Sequence, residues 1–169
     1  MPLVVHATQK LLAEIPAALI DHNAVGDSWQ ANLLRIDRRK CVLFTHDVTL
    51  YSVFVPGLRK PDFAQLDQVF GQRLFKALLW EGFPQALIER MLEACRSVRF
   101  TRSSNRSVLG SMNDLRFQIE VGVASAGGLA LADLMDLHQR LNRTPLSAVG
   151  YRYPVEGLRE FLAHCVSSG

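Results

Sequence analysis

Three short strand-like runs stand close together in the chain, at Ala31–Ile36, Cys41–Thr45 and Leu50–Val55. The connectors between them, Asp37-Arg38-Arg39-Lys40 and His46-Asp47-Val48-Thr49, are short and polar, which suits an antiparallel meander. The middle run is apolar at successive positions from Cys41 to Phe44, the pattern of a central strand covered on both faces. From Asp62 onward the period changes. Phe63, Leu66, Phe70, Leu74 and Leu78 recur at three- and four-residue steps, one face of a helix. A small sheet followed by helical segments that need an apolar surface to cover is the recipe for an α+β fold.

The remaining segments fill in that plan. Leu3–His6 and Val98–Arg102 read as further strands, and Pro56-Gly57 closes the meander. A helical pattern runs from Lys10 to Ile15 and is ended by Pro16. Pro84 opens a helix carrying Leu87, Ile88, Met91, Leu92 and Cys95. Ser104 or Asn105 caps a longer one with Val108, Met112, Leu115, Ile119 and Val123 on one side. Two more helices follow, through Leu131–Leu141 and Leu158–Cys165. The expectation is one α+β domain over residues 1–169, with a small antiparallel sheet (the meander plus edge strands) packed against five to six helices.

Composition narrows the class of protein. Hydrophobic residues make up 49% of 169 and can bury a core, but no run approaches the roughly 20 apolar residues of a membrane span. The first ten residues lack the basic and apolar regions of a secretory leader, so a soluble cytoplasmic protein without a membrane partner is expected. The three cysteines, Cys41, Cys95 and Cys165, form no C-x-x-C and are expected as free thiols.

Charge is more informative in its distribution than in its sum of +3. Arg35, Arg38, Arg39 and Lys40 crowd around one acid, Asp37. Arg96, Arg99, Arg102 and Arg106 span a stretch with no acid at all. A guanidinium offers a planar fork of donors suited to phosphate. Two such segments meeting in space would make an anion site; apart, they are solvated faces or strand ends.

One helix face is unusual. Arg106, Gly110, Asn113 and Phe117 lie opposite the apolar side of the long helix, where solvent-exposed Lys, Glu or Gln is the norm. A mid-helix glycine costs roughly 1 kcal/mol relative to alanine, so Gly110 suggests close packing by a neighbouring backbone, a subunit or a ligand. Arg106 and Asn113 would then flank an anion clamp at a helix start, where free N–H groups favour negative charge.

Other chemistry is not supported. There is no phosphate-cradling glycine loop, no dinucleotide fingerprint and no serine-hydrolase elbow. His46-Asp47 lacks the further ligands a metal needs, so no metal and no cofactor are expected. His138 and His164 fall on or beside apolar helix faces and read as core or boundary residues.

Three segments together carry a family resemblance: His6-Ala-Thr-Gln-Lys-Leu-Leu12, Ser28-Trp-Gln-Ala-Asn-Leu33 with Arg38-Arg39-Lys40, and Arg106-Ser-Val-Leu-Gly-Ser-Met-Asn-Asp114. The chain resembles an uncharacterised bacterial domain-of-unknown-function family. The resemblance implies no reaction or ligand, but it draws attention to Lys10, Trp29, Asn32, Arg39 and Arg106.

Three functions are consistent with the sequence. The first is a non-catalytic module binding a phosphate-bearing partner, nucleic acid or nucleotide, through Lys10, Arg38, Arg39, Lys40, Arg102, Arg106 and Asn113. The second is a protein-interaction subunit or homo-oligomer, with Gly110, Phe117, Trp29 and Asn32 as close-packing or interface residues. The third is a small ribonuclease-like enzyme, with His6, Lys10, Arg39 and Arg106 as its acid–base and stabilising groups.

Overall fold

The computed structural model describes residues 2–103, 105–150 and 152–167. Strands β1 (Leu3–Ala7), β2 (Asp27–Ile36), β3 (Arg39–His46), β4 (Ser52–Leu58) and β5 (Val98–Arg102) form one sheet in the order β4-β3-β2-β1-β5. The expected meander is present as β2-β3-β4, antiparallel throughout. The sheet as a whole is mixed, because β1 pairs parallel with both β2 and β5. β1 is therefore an interior strand, whereas an edge position was expected. Its sequence explains this: Leu3, Val4, Val5 and Ala7 are all buried, the continuous apolar run of a strand covered on both faces.

Seven helices surround the sheet among the described residues: α1 (Gln9–Leu12), α2 (Lys60–Ala64), α3 (Leu66–Trp80), α4 (Gln85–Ala94), α5 (Arg106–Ala126), α6 (Leu134–Leu141) and α7 (Pro154–Ser167). α1 and α2 are short turns of helix, which accounts for the excess over five or six. Asn105 caps α5 by accepting a hydrogen bond from the Val108 N–H at 3.2 Å; Ser104, the other expected cap, lies outside the described residues.

One sheet face carries Trp29, Phe44, Val53 and Phe100 against α3, α4 and α7. Phe44 stacks on Phe70 with ring centres 4.3 Å apart, and Trp29 meets Phe70 edge-on at 5.1 Å. The opposite face presents Leu34, Cys41, Leu43 and Phe54 to α5, whose Val108, Met112, Leu115, Ile119 and Val123 are all buried as the spacing predicts. β3 thus has apolar cover on both sides.

β4 runs on past Pro56-Gly57 to Leu58, with a register irregularity between Lys40 and Val42. Proline is tolerated there because β4 is an edge strand. An edge leaves unpaired backbone groups, and α6 closes this one with side chains. The Asn142 carboxamide accepts from the Ser52 N–H at 2.7 Å and donates to the Ser52 carbonyl at 2.9 Å. One turn earlier, His138 Nε2 accepts from the Phe54 N–H at 3.0 Å, while Nδ1 donates to the Leu134 carbonyl at 2.7 Å. These contacts fix His138 as a neutral imidazole, and burial holds its pKa below the ordinary value.

Candidate anion-binding site

β2 turns into β3 through two residues, Asp37 and Arg38, both with positive φ (51° and 63°). Two positive-φ residues joining antiparallel strands make a tight hairpin of the type I′ class, where Asn-Gly or Asp-Gly is the preferred pair. Asp37 tolerates the left-handed conformation and is also tied down: its Oδ2 accepts from the Leu129 N–H at 2.6 Å. The hairpin tip is thereby fastened to the segment just beyond the C-terminus of α5. Arg38 holds the position that glycine would normally fill.

The local acid is engaged in that link, and the basic residues around it are left together. Arg35, Arg38, Arg39, Lys40 and Arg59 line one cleft of about 330 Å³. Lys40 has a partner, Glu14, at 2.5 Å, and its ammonium also lies 5.9 Å from the centre of the Phe63 ring. Among the described residues, the other four cations form no ion pair with Asp or Glu. Elsewhere Arg96, Arg116, Arg140, Arg143 and Arg152 are paired with acids, while Arg73, Arg90, Arg99, Arg102, Arg106 and Arg159 form no such pair among the described residues either. What sets the hairpin apart is that four such arginines line one cleft. Arg35 and Lys40 are moreover direct cross-strand partners. Because Lys40 is compensated by Glu14, the uncompensated charge of the cleft rests on its arginines.

The first two of the three resembling segments meet on the sheet, and the third forms the start of α5. His6 Nε2 lies 3.2 Å from Ser28 Oγ, and Thr8 Oγ1 donates to Asn32 Oδ1 at 3.1 Å. Gln30 is fully buried; it donates to Asp47 Oδ1 at 3.0 Å and accepts from Ser103 Oγ at 2.5 Å. These bonds tie β1, β2 and the end of β5 into one polar strip. A family model described as a domain of unknown function, DUF6933, matches residues 4–157. The chain belongs to the DUF6933 family. No curated protein matches it.

Within this DUF6933 fold Arg106 stands far from the hairpin cleft. Arg106 is the first residue of α5, and the hairpin tip is fixed at the other end of that helix. Twenty-one helical residues separate them by roughly 30 Å at about 1.5 Å per residue. Arg102, paired in register with Ala7, and Lys10, in α1, sit by the C-terminal ends of β5 and β1 and are exposed. Arg106 and Asn113 are exposed on α5, which has no acidic residue in its first turn.

Among the described residues, no neighbouring element of the chain packs closely on Gly110. Gly110 is exposed, and a Cβ added to it would meet nothing within 4 Å. Phe117 is 67% exposed and lines a separate apolar groove of about 520 Å³ with Val121, Leu131 and Leu137. Trp29 belongs to the core, fully buried between Phe70 and His46, so it is closely packed but forms no surface. Asn32 is half-buried in the polar strip.

His46 is buried with Asp27 at 2.8 Å and Thr49 at 2.9 Å from its two nitrogens, and it packs on Trp29 and Phe161. Among the described residues no group of three or more His, Cys, Asp or Glu is arranged to hold a metal. Arg59 is the cleft residue that the sequence reading missed. Its signal was present in the meander, which brings the end of β4 beside the start of β3, as the Lys40–Leu58 pairing shows.

Proposed function

We propose that this protein is a non-catalytic module that binds a phosphate-bearing partner at the basic cleft of the β2–β3 hairpin. The observation that carries the reading is the set of four arginines, Arg35, Arg38, Arg39 and Arg59, gathered around one cleft without an acidic partner. Guanidinium forks bind phosphate oxygens bidentately and stay charged at any physiological pH. The enzyme reading has less support. Its Arg39 and Arg106 stand roughly 30 Å apart by the length of α5, too far to act on one substrate.

The test is fluorescence anisotropy of labelled nucleic acids at two salt concentrations, with Arg39→Ala and Arg106→Ala beside the wild type. Phosphate contacts release counterions, so the reading requires affinity that falls with salt. Arg39→Ala should weaken binding and Arg106→Ala should leave it close to wild type. Salt-independent binding, or loss confined to Arg106→Ala, overturns the assignment to this cleft.

A second reading, a subunit in a homo-oligomer, is favoured by the exposure of Phe117, Val121 and Leu131 around one groove. Light scattering across a concentration series tests it. A monomer at every concentration removes it, and a dimer abolished by Phe117→Ser supports it.

A further inference from the structure

We infer that the cleft takes the sugar–phosphate backbone of a nucleic-acid duplex and does not read bases; this rests on the phosphate-binding reading above. The first support is what the lining lacks. Between the five cationic side chains stand only Gly57 and Leu58, with no aromatic ring. Phe63, the ring nearest to Lys40, is buried and already covered by that ammonium. Proteins that hold single strands or free nucleotides by their bases use exposed rings as stacking platforms. The large aromatic side chains exposed among the described residues, Phe117 and Tyr153, line two other depressions. A duplex needs no such platform, because its bases are already stacked on one another and its phosphates line the outside of both strands.

The second support is the form of the donor set. Arg35 and Lys40 face each other across the hairpin, Arg38 and Arg39 follow at and just after its tip, and Arg59 joins from the end of β4. Positive charge is therefore spread along a ribbon and is not focused on one point. Duplex DNA carries about one negative charge per 1.7 Å of its axis, so a ribbon-shaped array meets several phosphates at once. A single terminal phosphate would satisfy one or two of these forks and leave the rest repelling one another. The turn that carries the array is tethered to the chain beyond α5 by the Asp37–Leu129 bond.

The four unpaired arginines set the expected size of the effect. Four phosphate contacts give a slope of log K against log salt near −3.6, on the order of a 100-fold loss between 50 and 200 mM salt. The experiment uses the full chain with two labelled 20-base-pair duplexes of unrelated sequence, one of their single strands, and inorganic tripolyphosphate as competitor. The inference expects the two duplexes to bind within about twofold of each other, the single strand to bind more weakly, and tripolyphosphate to displace the duplex. Arg39→Ala and Arg59→Ala should each shallow the slope by about 1. A more than tenfold preference between the duplexes, or tighter binding of the single strand, overturns the backbone-only reading. Tripolyphosphate that binds, by calorimetry, while neither duplex does overturns the duplex and keeps the anion cleft. No binding by any of the probes overturns both.

Discussion

Replacing Arg38 by glycine should make the protein more stable and a weaker binder at the same time. Arg38 sits at φ 63°, in the left-handed region, as the second residue of a two-residue hairpin. A side chain with a Cβ costs about 1–2 kcal/mol there, which glycine avoids. Glycine also gives the unfolded chain more freedom, which takes back about 0.4–1 kcal/mol. The balance is a stabilisation of about 0–1.6 kcal/mol, centred near 0.8, or a rise of roughly 2–3 °C in Tm at the centre of that range for a chain of this length. Arg38 has no acidic partner to lose, so no ion-pair contribution opposes the gain. The same substitution removes one of the four unpaired guanidinium groups in the cleft and should shallow the salt slope of nucleic-acid binding by about 1. Thermal unfolding followed by circular dichroism, together with anisotropy titrations at several salt concentrations, reads both quantities on the same preparation. A fall in Tm would refute the strain argument. Unchanged affinity and slope with a raised Tm would show that Arg38 is strained for some purpose other than binding phosphate.

Asn142→Ala should cost about 2–4 kcal/mol in urea unfolding, because it leaves the buried N–H and C=O of Ser52 without partners; a loss below 1 kcal/mol would mean that the β4 edge is closed by something else. Stability should be full above about pH 6.5 and decline below it. The fold holds His138 neutral, so the unfolded chain takes up the proton first; the slope approaches about 1.4 kcal/mol per pH unit and should flatten in His138→Gln. Cys95, whose thiol burial pushes up to about 12, should react with a disulfide reagent at pH 8 far more slowly than a free thiol in solution, and reaction at the solution rate would contradict its burial.

The fold was legible wherever periodicity and burial coincide. The five apolar positions of α5 and the strand Val98–Arg102 could be read directly, because each repeats at the period its geometry demands. The parallel position of β1 was harder to see, since pairing direction depends on where the intervening chain crosses the sheet and leaves little local trace. Beginning β2 at Asp27 required knowing that Ser28 and Gln30 would be satisfied by His6, Asp47 and Ser103, which are distant in sequence. The role of Asn142 is of the same kind, as its partner Ser52 is 90 residues away.

The candidate site was half legible. Arg38, Arg39 and Lys40 are adjacent in sequence at the tip and start of one hairpin strand, so their grouping needed no structure. Arg59 joins them only through the β3–β4 pairing, and Asp37 leaves them only through its bond to Leu129. Charge counting could not tell that the acid in the cluster faces elsewhere. Nor could it tell that Arg106, in an equally basic stretch, lies at the far end of a 21-residue helix.

Backbone amide shifts recorded during a titration with inorganic pyrophosphate locate the anion site residue by residue. The predicted result is a saturable, salt-sensitive set of shifts at Arg35–Lys40 and Gly57–Arg59, with Arg106 and Asn113 unmoved. Shifts centred on the start of α5, or none at the hairpin under low salt, would contradict it.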